Sequence, residues 1–350
     1  MEKNMFNTKS HLLRDFTKER FVGMSCAYSD LSDRIMTAYD GFACKEKNIP
    51  VNENTIFPAC SVSKFITALC VMKAYEQNIT DIDMPVNNFL DRWKLRTPDG
   101  NESDASIRSL LCHMAGVIDG EDAFYGLRRD DPAISLTDIL DGRTSYNNRP
   151  AYSEKTPGTE FEYSDAGYCI LQMLLEDITK KPFEDIAREY FFDPLDLEHT
   201  FFASPKNIAY YEKTHAMAVG YDENGMPVPE NYPQIPDLAA SGLWITPKEL
   251  LIVAKEFVNA YNGRSTVLTE KSALEIAKPA DKAPWVGLGV FMGGENEIIS
   301  RGWGENGQSM LKINYITGET AAVMTNQNPG VDQAESGIEG LINRILSKDS

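Results

Sequence analysis

The chain has 350 residues, with 34 Lys and Arg against 52 Asp and Glu, a formal net charge of -18 and 42% hydrophobic residues. That length and apolar content suffice for a folded protein of about two domains. The negative field argues against nucleic acid or an anionic membrane surface as a partner.

The opening stretch, "MEKNMFNTKSHLLRDFTKERF", mixes charges of both signs and has no apolar centre of signal-peptide length, so it is expected to form an amphipathic helix and the protein to be cytoplasmic. Residues 22 to 57 alternate loosely around Ser-Asp and Asp-Gly steps, which predicts a strand hairpin. "SKFITALCVMKAYEQN" then carries Phe65, Ala68, Leu69, Met72 and Tyr75 at helical spacing. Its apolar run is far shorter than the ~20 residues that cross a bilayer, and no membrane span is expected.

From 81 to 240 the pattern is helix and loop: "SIRSLLCHMAGV", "SLTDILDGR", "AGYCILQMLLEDITK" and "FEDIAREYFF" are separated by Pro, Gly and Asp. Strand signals return in "WVGLGVFMGG", "NEIIS" and "MLKINYITGETAAVMTN", and "AESGIEGLINRILSKDS" closes the chain as an amphipathic helix. This order predicts an α+β fold. One antiparallel sheet is built from both ends of the chain, with helices packed on it, and a mostly helical part is inserted between them. The expected division is 1–80 with 240–350 as the sheet domain and 81–239 as the insertion, with the active site between.

Cys26, Cys44, Cys60, Cys70, Cys112 and Cys169 form no CxxC pair and several sit in apolar runs, the pattern of reduced, buried thiols. His11, His113, His199 and His215 are far apart and none has a histidine partner at i+3 or i+4. Neither a metal site nor any cofactor is expected.

Two SxxK spacings occur. Ser309 and Lys312 lie in "SMLKINY", which reads as a strand, where residues three apart point to opposite faces. Ser61 and Lys64 open a helical pattern, where a three-residue step puts both on one face within hydrogen-bond reach. A serine there also sits where backbone N–H groups stabilise an oxyanion. The competing reading makes Ser61 a helix cap, Ser63 a surface residue and Lys64 solvated. Lysine, with an ordinary pKa of ~10.4, is a poor base unless perturbed, so a second group is needed. Tyr163 in "PGTEFEYSDAGYCILQMLLE" is the candidate, against a role in core packing.

Together these stretches resemble the serine β-lactamase and penicillin-binding-protein superfamily, in particular its class C branch, which includes esterases and D-aminopeptidases. "IFPACSVSKFITALCVMKAYEQNITDIDMPVNNFL" is similar to the family's nucleophile segment, "IRSLLCHMAGV" to its LLxHTSG stretch, "PGTEFEYSDAGYCIL" to its tyrosine motif and "AASGLWITPKEL" to its GGLxST segment. The resemblance implies a β-lactamase-like fold and an acyl-enzyme mechanism: Ser61 is acylated, Lys64 and Tyr163 share proton transfer, and water releases the acyl group. It implies that His113 packs at a helix end.

The sequence departs from the family at two places. Asp165 stands where the tyrosine motif often has asparagine, and its charge would raise the pKa of Lys64. The third motif, usually KTG or HxG, corresponds to Ser300, Arg301 and Gly302 in "ISRGWGENGQSM". Ser300 supplies no cation for a substrate carboxylate unless Arg301 reaches round, which argues against a dedicated β-lactamase or D,D-carboxypeptidase. The oxyanion hole needs only the N–H groups of Ser61 and Trp303. The same stretch spells GxGxxG at Gly302, Gly304 and Gly307, but a hairpin pattern follows it where a dinucleotide site needs a helix.

The expected protein is therefore a serine hydrolase acting on small esters, amides or peptides. An acyltransferase, or a binding or regulatory homologue without activity, are the alternatives. Substrate identity and oligomeric state are left open.

Overall fold

The computed structural model describes residues 20–29, 34–214 and 217–347. The expected N-terminal helix and His215 lie outside the described residues, apart from the last positions of that helix.

A hairpin of β1 (Gly23–Ser29) and β2 (Ile35–Cys44) is followed by the short β3 (Ile49–Pro50). Near the C-terminal end come β7 (Phe291–Met292), β8 (Glu297–Gly304), β9 (Gly307–Asn314) and β10 (Thr320–Thr325). These strands form one antiparallel sheet of order β3-β2-β1-β10-β9-β8-β7. The two ends of the chain meet in its middle, where β1 pairs β10 from Met24 opposite Thr325 to Ser29 opposite Thr320. This is the predicted α+β sheet.

A second, three-stranded sheet joins β4 (Phe57–Pro58), β5 (Phe201–Phe202) and β6 (Leu243–Ile245) in the order β4-β6-β5. It links the turn before Ser61 to the middle of the chain. Two-residue strands carry no alternation, and the sequence pattern did not reveal β4 or β5.

The sheet is covered on both faces. On one, the Ile338–Leu346 helix buries Ile338, Leu341, Ile342 and Ile345, a 3-4 spacing, against Met24, Cys26, Ile299, Met310 and Val323. On the other, Ala27, Leu311, Ile313, Ala322 and Met324 join a large apolar cluster with the helices Ser63–Glu76 and Pro247–Tyr261. Ser63–Glu76 is buried almost all round, so it is the central helix of the molecule. The cluster continues into the helix Asp165–Thr179 of the middle region, and one core serves both parts.

"WVGLGVFMGG", expected as a strand, is strand only at Phe291–Met292. Val286, Leu288 and Val290 are buried in a turning segment that crosses beneath the central helix. Two of its N–H groups find partners in distant segments: Leu288 donates to Ile276 O and Gly289 to Leu111 O. The apolar run reflects burial and not extension.

Among the described residues no helix is long and apolar enough to cross a membrane, and all six cysteines are buried free thiols.

Phe65, fully buried in the central helix, meets Phe257 edge to face with ring centres 5.8 Å apart. Phe65→Ala is expected to lower the free energy of unfolding by about 3–5 kcal/mol in urea denaturation, the range for an aromatic truncated inside a close-packed core.

Candidate active site

The turn before the central helix is a short 3-10 segment, Cys60–Val62, in which Cys60 adopts a left-handed φ of 49°. Its position is set by close backbone approach to β8. A Cβ on Gly302 would lie 2.2 Å from Ala59 O and 2.3 Å from Ser309 Oγ, so only glycine fits. β7 pairs β8 only at Ile298 and Ile299. Beyond them the turn packs against the β8 edge.

The two serines of this turn have different surroundings. Ser63 is fully buried; its Oγ donates to Cys60 O at 2.6 Å and accepts from Leu243 N at 2.9 Å, tying the turn to β6. It is not a surface residue. Ser61 is partly exposed, lines a cleft, and makes no helix cap, since the residue in the cap position is Val62. Cys60, its neighbour, is a buried thiol whose pKa burial pushes up to about 12, which leaves it unreactive.

Lys64 is 3% exposed and uses all three ammonium protons. Nζ donates to Ser61 Oγ at 3.1 Å, to Asp165 Oδ1 at 2.5 Å and to Ala240 O at 3.0 Å. Burial alone would lower its pKa, but the charge of Asp165, the neighbouring Tyr163 and the hydrogen bonds outweigh it and hold the ammonium above the ordinary lysine value. The departure at Asp165 therefore acts as its charge predicts.

Tyr163 approaches from the other side, its ring centre 4.9 Å from Lys64 Nζ. Burial raises the phenol pKa, the charge of Lys64 opposes this and that of Asp165 adds to it, and the net direction is upward. The ring stacks on His113 at 4.3 Å between centres. His113 follows the short helix Ile107–Leu111, is buried, and accepts from Ser164 N through Nδ1 at 3.2 Å. Burial and the nearby Lys64 hold its pKa well below 6.5, so it is a neutral platform for the tyrosine.

Asp165 is the first residue of the Asp165–Thr179 helix, capped by Ser164, whose Oγ accepts from Gly167 N. Asp119 completes the cap, accepting from Ser164 Oγ, Asp165 N and Ala166 N. Burial and the charge of Asp165 raise its pKa to about 6. A third carboxyl, Asp237, is fully buried beneath the cleft, where Tyr146 donates to Oδ1 at 2.6 Å and Oδ2 has no hydrogen-bond partner. Burial, then Asp165, raises its pKa to about 7. Asp237 precedes the Leu238–Ser241 turn that presents Ala240 O to Lys64, and its backbone carbonyl accepts from Ala240 N and Ser241 N. Asp119, Tyr146 and Asp237 were not singled out by sequence; they lie in irregular segments, Asp119 two residues after the "IRSLLCHMAGV" stretch and Asp237 two residues before "AASGLWITPKEL".

The residues of the third motif separate. Gly302 and Trp303 stand at the Ser61 turn, and Trp303 is 47% exposed with Nε1 donating to Asn328 Oδ1. Ser300 is buried, and Arg301 turns to the opposite face, where it pairs with Glu339 of the C-terminal helix at 3.0 Å. Arg301 does not reach round. Ser309 and Lys312 also point apart, Ser309 Oγ to Ala59 O and Lys312 Nζ to Asn343 and Glu297.

The cleft beside Ser61 has a volume of about 460 Å³ and is lined from both parts of the chain, by Tyr146, Asp165 and Glu223 of the middle region and by Trp303, Glu305 and Asn306 of the β8–β9 hairpin. Among the described residues no group of three or more His, Cys, Asp or Glu could hold a metal ion.

The chain is similar to known proteins along most of its length. The family model described as Beta-lactamase matches residues 10–341. Protein flp of Staphylococcus aureus (strain MW2) is 23% identical over 219 residues, covering 62% of this chain and 40% of that protein. Esterase EstB of Burkholderia gladioli is 26% identical over 191 residues, covering 53% of this chain and 48% of that protein. The match thus spans less than half the length of either relative. The crystal structure of D-amino acid amidase from Ochrobactrum anthropi SV3 complexed with L-phenylalanine amide superposes with a TM-score of 0.79 at 20% identity, covering 98% of both chains. On the extent of the family match, with a concordant fold, the chain belongs to the Beta-lactamase family.

Proposed function

We propose that this protein is a serine hydrolase that forms an acyl-enzyme on Ser61 from small esters or amides, short peptides included. The observation that carries the proposal is the hydrogen bond from Lys64 Nζ to Ser61 Oγ at the edge of an open cleft. The cleft runs along the seam between 81–239 and the sheet part, 1–80 with 240–350. The names of the relatives, an esterase and a D-amino acid amidase, agree with substrates of this class.

In the proposed reaction Ser61 Oγ attacks the substrate carbonyl carbon and its proton passes to the Lys64–Tyr163 pair. The tetrahedral oxyanion is held by the N–H groups of Ser61 and Trp303. Collapse breaks the bond to the alcohol or amine, which leaves with a proton from the same pair. Water, deprotonated by that pair, then releases the acid. Ser300 and Arg301 have no part in this scheme, and no cation awaits a substrate carboxylate. β-Lactam turnover is correspondingly weak or absent.

At rest the pair holds a proton too many, because the pKa values of both Lys64 and Tyr163 are raised. Activity therefore rises with pH as the first of these protons is lost.

Intact-mass measurement after treatment with a fluorophosphonate is expected to show one adduct on the native chain and none on Ser61→Ala, with p-nitrophenyl ester hydrolysis lost in the variant. Absence of both adduct and turnover in the native chain would sink the proposal. Asp165→Asn removes the negative charge that raises both pKa values, so the rising limb of kcat/KM against pH should move down by ~1 unit or more. An unmoved limb would mean that Asp165 does not set the base.

A further inference from the structure

The cleft beside Ser61 offers negative charge and aromatic surface and no cation. Asp165, Glu223 and Glu305 line it with Tyr125, Phe124 and Trp303, and no Lys or Arg is among the lining residues. Tyr125 and Trp303 are 55% and 47% exposed, which leaves ring surface open to a ligand.

The two glutamates are held in place without being neutralised. Glu305 Oε1 accepts from Gly126 N at 2.6 Å. Glu223 packs against Gly330, where a Cβ would lie 2.8 Å from Oε2. Both act electrostatically on Tyr125, which places the three groups in one neighbourhood. Among the described residues neither glutamate is in an ion pair. Burial raises the pKa of Glu305, while the Gly126 N–H and Arg128, which lies outside the lining, favour its charged form.

A separate observation points to a ligand in the same place. Asn306, next to Glu305 in the β8–β9 turn, is 2% exposed, lines the cleft, and its Nδ2 has no hydrogen-bond partner. A buried amide donor without an acceptor is costly, and a ligand carbonyl oxygen would satisfy it.

Resting on the hydrolase reading above, we propose that the cleft selects substrates that carry a free ammonium group, namely aminoacyl esters or amides, and disfavours those with a carboxylate in its place. The ammonium is attracted by the Glu223 and Glu305 carboxylates and by the faces of Tyr125 and Trp303. A carboxylate meets like charge. Asn306 donates to a carbonyl oxygen of the same molecule.

Three p-nitroanilides of one acyl residue, phenylalanine in D and L forms, with the amine free, acetylated or succinylated, test this. The assay runs at pH 6.5, below the α-amino pKa of about 7.7–8.0. The expected kcat/KM is at least ~10-fold higher for the free amine than for the acetylated compound, and lowest for the succinylated one, with the ratio shrinking in 0.5 M salt as screening sets in. The double variant Glu223→Gln with Glu305→Gln is expected to bring the ratio close to one. A ratio of one or less in the native chain, or one that the double variant leaves unchanged, overturns the proposal. If no compound is turned over and no fluorophosphonate adduct forms, it is the hydrolase reading that fails. Calorimetric binding of phenylalanine amide against its N-acetyl form then decides the selectivity: tighter binding of the free amine supports it and equal or weaker binding overturns it.

Discussion

The site is organised around one buried ammonium. Lys64 is removed from water on the central helix, and a charge so placed persists only if every proton has an acceptor. The three acceptors come from three separate segments: the Ser61 turn, the start of the Asp165–Thr179 helix and the Leu238–Ser241 turn. Satisfying the lysine thus fixes the relative positions of the Ser61 turn and the two segments that frame the cleft. Asp119 extends the arrangement by capping the helix that carries Asp165, and the backbone carbonyl of Asp237 by closing the turn that carries Ala240.

The same arrangement places a cluster of carboxyl groups around one cation. Asp165 is the direct partner, and burial, with the charge of Asp165 adding to it, raises the pKa of both Asp119 and Asp237. The acidity that the composition shows for the whole chain is also present at the site, including the exposed Glu223 and the half-buried Glu305 of the cleft. In a family pattern that usually ends in KTG or HxG, Ser300 and Arg301 remove the cation, and the fold turns the arginine away to Glu339. The electrostatic character of the cleft is thus set both by what is added and by what is missing.

Much of this could be read from the residues. Ser61 and Lys64 were legible because a three-residue step on a helix is a local geometric fact, and so was the failure of Ser309 and Lys312 to pair on a strand. The two-ended sheet and the closing helix followed from the order of period-two and period-3.6 segments. Tyr163 was found through its motif, yet its stacking on His113 was not visible in one dimension. Asp119, Tyr146, Asp237, Glu305 and Asn306 lie in loops, whose paths depend on long-range packing and carry no periodic signal. The stretch from Trp285 to Gly294 misled because buried turns, like strands, are apolar.

The sheet order has a consequence for how the molecule is made. β1 and β10 are neighbours at the centre of the sheet, although about three hundred residues separate them. As the polypeptide emerges from the ribosome, the β1–β2 hairpin must wait, with one edge of β1 unpaired, until β10 has been synthesised. During that interval the open edge is a template for association with other nascent chains. Burial of β1 on both faces, so useful in the finished protein, means that the residues it will hide stay open to water while translation continues.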